Sequence, residues 1–168
     1  MMASDRYVRT ETLFSAIGSA VVTIVLFVLV FGTAGPVAAW GIGAFVFDCF
    51  PQAFFTALIC TVLPGFITRS RARAGKLVSL GISTSSGLQV SAAAILRRSL
   101  WAGIAAMVLV GPASAAVLHF GGINAIGWWT ALGVKIVIAA IVAMIATPFG
   151  LRHLFQDLDA EGVGRLVV

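Results

Sequence analysis

The sequence predicts an all-α, polytopic membrane protein: four transmembrane helices forming two hairpins related as a parallel repeat, with the N- and C-termini both cytoplasmic. Three observations carry this. The chain is 60% hydrophobic and only 10% charged, with a mean hydropathy of +1.08, whereas ordinary soluble domains are roughly 25% charged. Apolar runs of about twenty residues recur, the length that crosses a hydrocarbon core of roughly 30 Å. Every Lys and Arg except Lys135 falls in the N-terminus, a central segment or the C-terminus, which is the bias that keeps basic loops on the cytoplasmic side. The formal charge of +5 therefore reports topology. With the apolar spans removed, no basic face with interleaved aromatics remains, so no nucleic acid partner is expected.

In chain order, residues 1–12 form a polar cytoplasmic leader containing Arg6 and Arg9. The first span covers 13–35 and exceeds the roughly 7–15 residues of a signal-peptide core, so it is read as a retained helix. A short, uncharged connection rich in Gly leads to Trp40, an interfacial aromatic that opens the second span. That span reaches about Thr68, giving a first transmembrane hairpin over 13–68 whose two helices are expected to be antiparallel neighbours. Pro51 lies inside the second span, where a missing backbone hydrogen bond predicts a kink.

Residues 69–98 form a basic cytoplasmic linker with a Ser/Gly-rich middle. Its Arg69, Arg71, Arg73, Lys76, Arg97 and Arg98 set the orientation and suit anionic lipid headgroups of the bilayer. The second hairpin spans 99–150: a helix from Ser99 to Phe120 broken at Gly111-Pro112, a loop without Lys or Arg, then a helix from Trp128 to Pro148. Residues 151–168 form a cytoplasmic tail in which Leu151, Leu154, Phe155 and Leu158 fall on one helical face, the pattern of a helix lying on the membrane surface. Asp157, Asp159 and Glu161 make it acidic.

Each half repeats one plan: basic leader, span, uncharged outer turn, Trp, second span, Pro with a nearby Gly, then Arg. With an even number of spans per unit, the copies are related by an axis along the membrane normal. The hairpin with Trp40 or Trp128 opening its second helix, Pro64 or Pro148 closing it and Arg following resembles a family of small two-helix bacterial inner-membrane domains of unknown function, here in tandem over residues 10–73 and 94–155. The resemblance implies a multi-pass protein of the bacterial inner membrane and no activity. The second half lacks an equivalent of Pro51.

Asp48 and Lys135 are the ionisable residues placed well inside the spans. Such residues face a bundle interior or a watery cavity. Counted back from the closing prolines their depths differ by about 5 Å, so an ion pair is expected in the outer half of the bundle. Gln52 lies one turn from Asp48 on the same face. Cys49 and Cys60 are about 16 Å apart along one helix, too far for an intrachain disulfide. His119 and His153 lie at opposite ends of the spans, which excludes a shared metal site. No phosphate-cradling loop or hydrolase motif occurs, and neither enzymatic activity nor a cofactor is expected.

Two functions remain. The first is a non-enzymatic accessory or scaffold bundle, in a homo-oligomer or a larger membrane complex, packing through small-residue faces at Gly111 and Ala115 and at Ala139 and Ala143. The alternative is a small ion- or proton-coupled transporter or exporter using Asp48, Gln52 and Lys135.

Overall fold

The computed structural model describes the backbone of residues 2–73 and 91–164, with side chains over 5–71 and 91–156. Four long helices dominate it: α1 (Met2–Phe31), α2 (Phe45–Arg73), α3 (Ala92–Phe120) and α4 (Trp128–Gly164). All four contain segments long and apolar enough to cross a membrane. In hydrocarbon a backbone must satisfy its polar groups internally, which is why such segments are helical throughout.

The helices run further than the sequence reading drew them. The leader 1–12 is not separate from the first span, because α1 is already helical from Met2. The linker assigned to 69–98 is helical at both ends, as α2 continues to Arg73 and α3 starts at Ala92. Ser91 caps that start, its side chain accepting from the Ala93 N–H. This replaces one missing partner of a helix N-terminus. Pro51, Pro64, Pro112 and Pro148 all lie inside helices. A proline removes one hydrogen bond but already holds a helix-compatible φ, and packing on either side keeps the helix going. Thr68, four residues past Pro64, is fully buried, as are Leu151 and Leu154 past Pro148.

The tail is likewise not a separate surface helix. Leu154 packs with Ile95 of α3 and with Phe155, and Phe155 meets the Tyr7 ring edge-on at 6.2 Å. The apolar face read as membrane-surface binding therefore covers the end of the bundle. The side chains of Asp157, Leu158, Asp159 and Glu161 lie outside the described residues.

The packing differs from two compact hairpins. α2 packs chiefly against α3 and α4, and α1 against α4, while the consecutive pairs α1·α2 and α3·α4 make few contacts. α2 and α4 form the centre, with far more of their length buried than α1 and α3. The faces expected to meet a partner are used here. Ala139 and Ala143 are fully buried within the bundle, and Ala57, Cys60, Val142, Ala143 and Ala146 form the middle core where α2 meets α4. Gly111 faces the Phe50 ring so closely that a Cβ there would collide with it, and a Cβ at Gly103 would lie 3.0 Å from Phe54. Small residues thus let α3 approach two aromatic side chains of α2.

The two uncharged connections, expected to face outward, pair with each other. β1 (Val37–Ala38) and β2 (Ala125–Ile126) form an antiparallel ribbon in which Val37 faces Ile126 and Ala38 faces Ala125. Gly32 and Gly122, with φ of 73° and 63°, turn the chain out of α1 and α3 in a conformation that favours glycine. The indoles then cross over: Trp40 Nε1 donates to the Ile123 carbonyl at 3.1 Å, and Trp128 Nε1 to the Gly32 carbonyl at 3.0 Å. An outer core of Phe27, Phe45, Val46, Leu118 and Leu132 lies beneath, with Val37 and Ile126 as its cover.

Candidate functional site: a buried ion pair near the ribbon end of the bundle

Asp48 and Lys135 meet. α2 begins at Phe45, which places Asp48 in its first turn, where unpaired N–H groups and the helix dipole favour a carboxylate. Asp48 is thus nearer the outer end than a span opening at Trp40 implied. Lys135 lies about 10 Å along α4 from Trp128, and its long stem spans the difference. Its Nζ donates to Asp48 Oδ2 at 2.8 Å and to the Phe45 carbonyl at 3.3 Å. The Phe45 ring centre lies 4.7 Å from the same nitrogen. An ammonium has three donor hydrogens, and these three neighbours surround it.

Burial is unequal. The Lys135 side chain is 1% exposed and that of Asp48 28%. A lone charge so buried is costly, and a close, hydrogen-bonded counter-charge offsets that cost. Gln52 joins the pair to a third helix: its Nε2 donates to the Lys135 carbonyl at 3.2 Å and to Thr23 Oγ1 of α1 at 3.4 Å. Its Oε1 is buried without a partner among the described residues. Asp48, Gln52 and Lys135 thus come together as expected. Thr23 and the Phe45 carbonyl complete the site and were not anticipated. Glu11, Ser15, Ser19 and Thr23 recur every fourth residue, a stripe that could have pointed to Thr23.

Among the described basic residues, Arg71 is held by partners of its own. Arg71 Nη1 donates to Glu11 Oε1 at 2.8 Å and to the Tyr7 hydroxyl at 2.9 Å, and that hydroxyl lies 3.0 Å from Thr68 Oγ1. Arg71 therefore ties α1 to α2 at the end of the bundle away from the ribbon. Arg69 Nε is buried without a partner among the described residues. Arg98 lies with Ser99, His153 and Leu154 around a small internal space. The Arg73 side chain and Lys76 lie outside the described residues. Cys49 and Cys60 are buried free thiols. His119 rests edge-on against Trp40 and His153 against Phe149.

Fold and site together define a multi-pass bundle of four candidate membrane spans, braced across its central helices by a charged pair. Comparison with protein-family models, with curated proteins and with solved structures gives no match.

Proposed function

We propose that the chain is a non-enzymatic accessory or scaffold bundle of the bacterial inner membrane, in which Asp48 and Lys135 are a structural brace and not a relay. The observation that carries this is the enclosure of Lys135. A relay group must exchange protons with water, whereas this ammonium is 1% exposed and surrounded by Asp48 and Phe45. As small-residue faces are consumed inside, partner contacts fall to the exposed apolar surfaces of α1 and α3, such as Leu29 and Leu109.

Cytoplasmic termini are supported by the ends of the bundle. Arg71, Arg97 and Arg152 lie at one end, while Trp40, Trp129 and the uncharged connections lie at the other. The tandem repeat is supported by burial. Cys49, Ala53, Ala57 and Thr61 are buried in α2 at the same spacings as Lys135, Ala139, Ala143 and Thr147 in α4. The reciprocal bonds of Trp40 and Trp128 fit the same two-fold relation.

The test is purification of the tagged protein from its native membrane in gentle detergent, with mass spectrometry of what accompanies it. A partner at constant stoichiometry is expected. A protein that emerges alone and supports an Asp48-dependent proton flux in vesicles overturns the scaffold reading.

A further inference from the structure

α1 and α2 are consecutive yet pack little against each other. Side chains bridge them at two levels, Thr23 with Gln52 and Tyr7 with Thr68. Along these levels the helices part around a cavity of about 480 Å³ that extends past Thr23 and Gln52 to Phe27, Val30 and Asp48 and is floored in part by Lys135 of α4. Its rim includes Phe14, Val22, Leu26, Phe55, Ile59 and Leu63, all exposed. The cavity is therefore a groove opening sideways, where the hydrocarbon of a bilayer would lie.

A polar ladder runs along this groove on both helices. Glu11, Ser15, Ser19 and Thr23 line it from α1, and Asp48, Gln52, Thr56 and Cys60 from α2, each set recurring every fourth residue. The bridges fix the antiparallel register: one turn inward from Thr23 and Gln52, Ser19 lies level with Thr56, and one turn further Ser15 lies level with Cys60. Sixteen residues along each helix the same register reaches Tyr7 and Thr68, where the second bridge is found. The ladder covers about 24 Å of a hydrocarbon core of roughly 30 Å.

The Ser15 and Thr56 hydroxyls make no hydrogen bond among the described residues. Unpaired hydroxyls facing hydrocarbon are unfavourable, so the occupant must bring polar groups to membrane depth. The charges select its kind. Asp48 with Lys135 near the outer end and Glu11 with Arg71 at the inner end leave the groove neutral. The lining charges of Glu11, Asp48 and Lys135 are each offset by a close partner, which suits a head that carries no net charge. An amphiphile held at one depth needs polar groups at that depth only, whereas these recur at every turn.

We propose that the α1–α2 groove passes the polar head of a zwitterionic phospholipid between the two leaflets, while its acyl chains remain in the surrounding hydrocarbon. The groove does not depend on the scaffold reading, since a subunit of a larger assembly can carry it. The test uses the purified full chain in phosphatidylcholine vesicles containing a trace of tail-labelled fluorescent phosphatidylcholine, with dithionite added outside. Quenching of the initially protected inner-leaflet fraction measures transfer. Faster transfer than in protein-free vesicles is expected. The Ser15→Ala/Thr56→Val variant, which removes the hydroxyls without adding bulk, is expected to slow it about tenfold, the factor carried by a hydrogen bond of ordinary net strength. Ser15→Leu/Thr56→Leu, which fills the groove, is expected to abolish it, and Val25→Leu on exposed α1 surface to leave it unchanged. Transfer no faster than in protein-free vesicles overturns the proposal, as does transfer indifferent to both groove variants. Proton leakage reported by an internal dye without lipid transfer also overturns it, in favour of a file of water.

Discussion

At the scale of single residues, the size of an electrostatic effect depends on whether one partner or both are removed. Lys135→Ala leaves Asp48 facing a cavity where its counter-charge was. Breaking one side of a buried pair costs about 3 kcal/mol or more, so the thermal unfolding temperature in detergent is expected to fall well below that of Val134→Ala, a substitution on the exposed face of α4. Removing both charges with Asp48→Leu and Lys135→Met is expected to restore most of the loss, because a buried pair and an apolar pair of similar volume are close in stability. A double variant as unstable as Lys135→Ala would mean that something other than charge pairing acts there. Glycine substitutions offer a second contrast at this scale. Gly111→Ala drives a Cβ into the Phe50 ring and is expected to cost about 1–3 kcal/mol as overpacking. Gly133→Ala meets nothing within 4 Å and is expected to stabilise α4 by about 0.5–1 kcal/mol through helix propensity. The same unfolding assay checks both.

At the scale of elements, the outer ribbon makes the two halves one unit. Val37 and Ile126 close the outer core from above, and each tryptophan bonds to the other half's connection. Directly opposed residues of an antiparallel pair have Cα atoms about 4.5–5.5 Å apart, within disulfide reach. Ala38→Cys with Ala125→Cys, in a chain with Cys49 and Cys60 replaced by Ala, is therefore expected to cross-link on mild oxidation. Reaction no faster than for Ala34→Cys with Ala125→Cys would rule out the ribbon. Trp128→Phe keeps the ring that packs on Phe27 but loses the bond to Gly32, an expected cost of about 1 kcal/mol.

At the scale of the whole molecule, the main helix–helix contacts between the halves all involve α2 or α4, leaving α1 and α3 as the more exposed pair. Topology is testable there. Single cysteines at Ile42 and Ile123, in the outer connections, are expected to react with a membrane-impermeant thiol reagent added to intact cells, and cysteines at Arg9 and Ser91 only after permeabilisation. The opposite pattern would invert the orientation.

The sequence by itself determined the helices, because run length, composition and the placement of Lys and Arg are local properties that act on each span separately. It also brought Asp48, Gln52 and Lys135 to one site, since two opposite charges at similar depth in hydrocarbon have few alternatives to pairing. Only the tertiary structure decided which helices touch. Nothing in an apolar span of Leu, Val and Ala says whether α1 packs on α2 or on α4, because lipid tails are as apolar as those side chains and close fit alone chooses among faces. The fit of Gly111 to Phe50 and of Ala143 to its neighbours around Ala57, the crossing of Trp40 and Trp128, and the groove that opens once α1 leaves α2 all follow from that choice.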